Sequence, residues 1–346
     1  MVLGVFLHAA NIYSINKNWI VTDPNQSYVF NFINDSIHAF RMPLFFWISG
    51  YFCALTASRS STKTFFEKRI PRLAIPLLSA WLTLNLLQEY FLNYLRSALS
   101  IDAREDYFNL YHLWFLFDLL VFTVAYPALS LFVDRIHSHI VGLGKLSATQ
   151  ILLVLTVISF ATGLGVRATG VAYETIWGAT SLYRLAIYMP FFLAGSVMFK
   201  HPELRFKFQE TPIYLFCLGV TLKIILARYE ADRNFLISES ANFVGLLATW
   251  ICTATALEIF NLIFSRPSAR LRHMSDAAYS IYIFHHLVVI AVGALLISST
   301  ASIYMKYVLV CLLGFGVPAA IHYFAIRNVR LLSFLYNGST ARYRVA

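Results

Sequence analysis

The sequence predicts an all-α fold: a polytopic membrane helix bundle of about ten transmembrane helices, with both termini in the cytoplasm. Three observations predict it. Apolar residues make up 59% of the 346 positions and charged residues 13%, and the mean hydropathy is +0.65, a membrane composition and not that of a soluble core. The apolar residues gather into ten segments, roughly 1–15, 36–57, 73–95, 111–133, 149–163, 183–199, 211–228, 241–264, 277–299 and 307–325. Most of these reach the ~20 residues a helix needs to cross a bilayer. The connecting stretches alternate in charge: 58–72, 134–148, 200–210, 265–276 and 326–346 hold 17 Lys/Arg against 5 acids, the other five hold 6 against 9. The positive-inside rule puts the first set in the cytoplasm. That placement explains the net charge of +10 as attraction to the inner lipid surface, with no nucleic-acid partner required. No long soluble stretch separates the segments, so residues 1–346 read as a single integral-membrane domain.

Segment one carries His8 and no charge before Lys17. Fifteen helical residues span only ~22 Å of a ~30 Å hydrocarbon core, so helix one is expected to begin upstream of Met1. Segment two opens with His38 and Arg41, three apart and so expected on one helical face. An Arg at the mouth of a membrane helix needs a partner or a wet cavity, and Ser49-Gly50 lets a neighbouring backbone approach. Lys68-Arg69-Ile-Pro-Arg72 stands at the cytoplasmic foot of segment three, and Glu89 closes its outer end. As a positive-inside flank the basic run is ordinary. Its sharper reading is a phosphate clamp, because Arg69 and Arg72 share a face and guanidinium forks suit phosphates.

His112 opens segment four and Arg184 segment six; segment five is short. With His8, His38, Arg41 and Glu89, five helices then present titratable groups at one membrane depth. A lone interfacial His or Arg ordinarily anchors a helix or satisfies a hydrogen bond. Coincidence across helices is what points to a site. On segment nine Asp276, Tyr279, Tyr282 and His286 form one stripe, with His285 about 100° round. Of the two histidines, one is expected to face the bundle and the other to bond a neighbouring helix. Asp118, Lys223 and Glu258 are further intramembrane charges, each a functional candidate or a buried pair. The four cysteines sit singly in apolar segments, without zinc, redox or disulfide spacing. No metal site or bound cofactor is implied. The sequence contains no Gly-x-Ser-x-Gly elbow, Walker loop or His-Glu-x-x-His.

Several runs carry a family resemblance. They are His8 with Ile-Tyr-Ser after it, Phe-Ile-Asn-Asp-Ser-Ile-His-Ala-Phe-Arg-Met, Ile-Ser-Gly-Tyr-Phe, Arg69-x-x-Arg72 followed by Ile-Pro, and His-Leu-Trp-Phe-Leu. Pro190-Phe-Phe-Leu-Ala-Gly195 and Tyr-Ile-Phe-His-His complete the series. In order and number they resemble the acyltransferase 3 family, and within it the branch that modifies periplasmic glucan. The resemblance implies a multi-pass enzyme of the bacterial inner membrane that moves an acyl group from cytoplasmic acyl-coenzyme A to a hydroxyl of an extracytoplasmic glycan. In the glucan branch the group is succinyl. It also implies that His8 is the catalytic histidine and that Arg69 and Arg72 lie near the coenzyme. The family's Arg or Lys eleven residues before that histidine would precede Met1 here.

The chemistry suits these residue types. A histidine that takes the proton of a sugar hydroxyl as the ester forms is worth ~10²–10⁴-fold. Arg41, with His38 beside it, or a nearby N–H is expected to stabilise the oxyanion. His112, Tyr282, His286, Arg184 and Glu89 are expected to line the substrates. Direct transfer and an acyl-histidine relay both remain open. Arg184, Lys223 and Arg228 are candidate cations for a succinyl carboxylate. Two other readings stay in play: an acetyltransferase acting on lipopolysaccharide, exopolysaccharide or a small molecule, and a secondary transporter. The lack of an obvious internal repeat counts against the transporter. No oligomeric state is implied.

Overall fold

The computed structural model describes residues 2–17, 19–99, 109–135, 145–176, 178–230, 232–266 and 268–338. Helices dominate. Among the described residues seven are long and apolar enough to cross a membrane: Thr62–Leu95, Tyr111–Arg135, Ala148–Arg167, Leu182–Lys200, Phe235–Ile263, Leu271–Leu296 and Ile303–Ile326. The other three expected segments form shorter helices: α1 (Leu3–Tyr13, 11 residues), α3 (Arg41–Ala57, 17 residues) and α10 (Leu215–Leu226, 12 residues). The segment read as short, 149–163, is a full helix of 20 residues, α7 (Ala148–Arg167), because a Ser147–Gln150 capping box starts it and Thr162–Val166 continue it despite falling hydropathy.

Segment two is broken. α2 (Tyr28–His38) ends on His38, and α3 starts afresh at Arg41. Pro43 lies in the first turn of α3, where its missing N–H costs nothing; inside one continuous helix it would leave a carbonyl without its donor. His38 and Arg41 therefore do not share a helical face, contrary to the expectation from spacing.

The chain packs as two compact units. The first comprises 1–37, 70–117 and 267–346. It contains α1, most of α2, the end of α4 (Thr62–Ala80), a π-helical turn Trp81–Asn85, and α5 (Leu86–Leu99). A 3₁₀ turn, Tyr111–Leu113, then leads into α6 (Trp114–Arg135). The unit is completed by α12 (Ala269–Leu296), α13 (Ile303–Ile321), a second π turn His322–Ile326, and α14 (Arg330–Asn337). α1 lies against α12 and α13. Val5, Ile12, Tyr13, Phe30, Val289 and Val310 form the centre of its apolar core. Both π turns follow a proline, Pro76 or Pro318, which donates nothing to the carbonyl four residues before it.

The second unit comprises 38–69 and 118–266. Its tightest pairing is α3 on α8 (Leu182–Lys200). A methyl at Gly50 would sit 1.8 Å from the Phe192 carbonyl oxygen, and one at Gly195 would sit 1.9 Å from that of Trp47. The two backbones touch only because both residues are glycine, the small-residue contact on which helix pairs in lipid rely. α7, α9 (Pro202–Gln209), α10 and α11 (Phe235–Ile263) pack around them. A two-residue antiparallel ladder, Thr175–Ile176 with Thr180–Ser181, precedes α8.

Candidate active site

Four imidazoles meet inside the first unit. α1 supplies His8, the 3₁₀ turn supplies His112, and α12 supplies His285 and His286. The His8 ring lies 5.0 Å from His286, edge to face, and 5.3 Å from His285. His112 stacks on His286 at 4.6 Å and stands 5.2 Å from His285. His112, His285 and His286 are buried, whereas His8 is half-buried. Among the described residues no group of three or more His, Cys, Asp or Glu is arranged to hold a metal ion.

Each buried ring is fixed by a hydrogen bond that also fixes its tautomer, since a carbonyl oxygen can only accept. His112 Nε2–H donates to the Ile283 carbonyl at 3.2 Å, and His285 Nδ1–H donates to that of Tyr282 at 2.7 Å. Nδ1 of His286 lies 2.8 Å from Gln88 Oε1 on α5. In the neutral form of each ring the second nitrogen carries a lone pair. The Tyr282 hydroxyl donates to the His112 carbonyl at 2.6 Å and holds the 3₁₀ turn on α12. That turn is bent sharply: Tyr111 has φ +45°, a costly conformation for a residue with a Cβ, and its N–H is held by Asn109 Oδ1 at 2.7 Å. Asn85, in the π turn, donates to the Asn109 carbonyl at 2.9 Å. The irregular backbone thus places the Tyr111 ring 5.7 Å from His286.

The link from α1 to α2 covers this cluster. Trp19 stacks on His8 at 5.8 Å and meets His286 edge-on at 5.7 Å. Further along, Asp23 pairs with Lys306 of α13 at 2.8 Å, both side chains being 1% exposed. Lys306 also donates to the Ile297 carbonyl at 3.2 Å. At the other end Lys17 bonds Asp35 at 2.7 Å and also Asn34, and Asn34 donates to Asn11 Oδ1 of α1 at 2.5 Å. The link is pinned at both ends.

The structure brings His8 and His112 together with Tyr282 and His286 of the segment-nine stripe, a meeting that the sequence alone does not establish. Glu89 is buried on α5, one residue beyond Gln88. His285 and His286 both turn inward. His286 bonds a neighbouring helix as expected, whereas His285 bonds the carbonyls of its own helix. Gln88, Trp19, Tyr111 and the inward role of His285 escaped the sequence reading. Adjacent histidines in an apolar run were the available signal for the last of these; the other three had none, because their partners lie far along the chain.

The remaining candidates belong elsewhere. His38, Arg41, Arg69 and Arg184 are in the second unit. There Arg184 grips Asp118 with two bonds, Nε to Oδ2 at 2.9 Å and Nη2 to Oδ1 at 3.4 Å, and also donates to the Ala179 carbonyl. Asp118 is fully buried. Lys223 pairs with Glu230 at 2.6 Å. Arg69 and Arg72 both project from α4, Arg69 within 3.5 Å of Thr56 Oγ1 and Arg72 exposed.

Comparison with known proteins adds an independent observation. The family model described as an acyltransferase domain matches residues 1–323. Glucans biosynthesis protein C of Salmonella paratyphi B, of Salmonella agona and of Salmonella gallinarum are each 26% identical to this chain, over 98% of it and 92% of the relative. No solved structure matches the chain.

Proposed function

On the premise that this chain belongs to the acyltransferase 3 family and is a multi-pass membrane acyltransferase, we propose that it transfers a succinyl group from coenzyme A to a glycan hydroxyl outside the inner membrane, periplasmic glucan being the acceptor. The basic loops and both termini face the cytoplasm, where the donor is made, and the acceptor approaches from the other side. The observation that carries this reading is the placement of His8, the half-buried imidazole among three buried ones whose orientations are locked.

In this mechanism His8 takes the proton from the attacking hydroxyl as the new C–O bond forms. The thioester C–S bond breaks, and the same proton passes to the departing thiolate, giving ester and free coenzyme. His286, held by Gln88, and His285 keep the His8 ring in place by contact. Arg69 and Arg72 hold the coenzyme phosphates at the basic end of α4 through guanidinium forks.

A second reading, acetyl in place of succinyl, is favoured by one observation. Arg184 and Lys223, two of the three cations suggested for a succinyl carboxylate, each already hold an acid. Proteoliposomes given labelled succinyl- or acetyl-coenzyme A outside and glucan within separate the two. Label on the glucan from the succinyl donor is the expected result. Label from acetyl alone selects the second reading, and label on neither, with intact solute carried across, overturns both.

A further inference from the structure

Arg72 stands at an interrupted point of its helix. In a regular α-helix its carbonyl would accept the N–H of residue 76, but residue 76 is Pro and has none. The vacated acceptor is filled from another helix: the Tyr279 hydroxyl of α12 donates to the Arg72 carbonyl at 2.9 Å. A second element bears on the same spot. Gly338, the left-handed residue that ends α14 with φ +59°, approaches so closely that a methyl there would lie 2.5 Å from both the Arg72 Cα and the Pro71 carbonyl oxygen. α14 is itself secured. The Tyr336 hydroxyl bonds Thr83 Oγ1 of the π turn at 3.0 Å, and Ser280 of α12 donates to Asn337 Oδ1 at 3.1 Å. The backbone of Arg72 is thus gripped from two sides while its side chain is exposed.

We propose that Tyr279 and Gly338 are positioning residues for Arg72, which fix the direction in which its guanidinium is presented to the coenzyme phosphates. This rests on the reading of Arg69 and Arg72 as the coenzyme clamp. A proline that merely kinked a helix would leave its orphaned carbonyl to water or to the local backbone. Here a tyrosine hydroxyl more than two hundred residues away supplies the missing donor, and a glycine admits the second contact. Tyr279 lies on the same stripe of α12 as Tyr282 and His286, so one helix face supports both the Arg72 backbone and the histidine cluster.

The test is calorimetric binding of coenzyme A itself to the full chain in detergent, which is independent of the acyl group. It uses Arg72→Ala, Tyr279→Phe, Gly338→Ala and the double variant Arg72→Ala/Tyr279→Phe. Arg72→Ala is expected to weaken binding about tenfold or more, the usual scale for a lost charge-assisted bond. Tyr279→Phe should weaken it several-fold, and should add nothing in the Arg72→Ala background, where a general loss of structure would still be felt. Turnover by Tyr279→Phe at saturating donor should stay near that of the parent. Tyr279→Phe keeps the ring and removes one atom, so it carries the test if Gly338→Ala fails to insert. Weak binding by Arg72→Ala with unaltered binding by Tyr279→Phe, or additive losses in the double variant, would overturn the positioning role and leave the clamp standing. Unaltered binding by Arg72→Ala would overturn the clamp itself, and the positioning role with it.

Discussion

In the first unit four imidazoles from three elements converge, and three of them, His112, His285 and His286, turn a ring nitrogen onto a backbone carbonyl or a side-chain amide. In the second, Asp118 and Arg184 close on each other through two bonds, and Arg184 adds a carbonyl. Both are polar groups set in an apolar bundle, and sequence alone ranks them equally as intramembrane candidates. The structure separates them. A buried carboxylate with a bidentate guanidinium has its charge matched, so it serves as a strut. Each oriented imidazole retains a lone pair once its N–H is committed, which is the condition for moving a proton. What distinguishes a site from a strut is thus how the polar groups are arranged once the helices pack, and not the presence of polar residues.

His8→Ala sharpens that contrast most. Acyl transfer should fall ~10²–10⁴-fold, as loss of a general base does, while membrane insertion and helix content stay unchanged. Transfer assays on the reconstituted variant, with circular dichroism of the same sample, measure both; full transfer activity in the folded variant would remove His8 from the chemistry. Asp118→Ala should do the reverse. Leaving Arg184 without its carboxylate should cost about 2–3 kcal/mol of stability, read by thermal unfolding in detergent. Activity per folded molecule should hold, and its collapse would erase the distinction between the two regions. Gln88→Leu is the smallest change: freeing the His286 ring should reduce turnover by about tenfold with little effect on stability, because a neutral hydrogen bond is worth about 1 kcal/mol. Unaltered turnover would make Gln88 a packing residue only.

Much of the site could be read along the chain because its members punctuate apolar segments. His8, His112 and His286 each interrupt an otherwise lipid-compatible run, and Tyr282 shares the period of His286. The break between His38 and Arg41 was not legible from their spacing, although Pro43 was a warning. Trp19 and Gln88 were invisible for a different reason. An aromatic residue in a connecting stretch and an amide beside an acid are commonplace, and they matter only through rings that arrive from α1 and α12. The buried Asp23–Lys306 pair joins residues at opposite ends of the sequence, where no local pattern operates.

By itself the sequence determined the helical membrane class, the approximate position of every apolar segment and the residue types that interrupt them. Hydropathy and charge act residue by residue, so those properties survive without knowledge of neighbours. The tertiary structure decided which helices meet, which nitrogen of His112 and of His285 donates to a backbone carbonyl, and how a proline at position 76 came to draw in Tyr279. Lipid is as apolar as leucine and gives one helix no preference for another. That choice falls to shape at small residues such as Gly50 and Gly195 and to hydrogen bonds between distant parts of the chain.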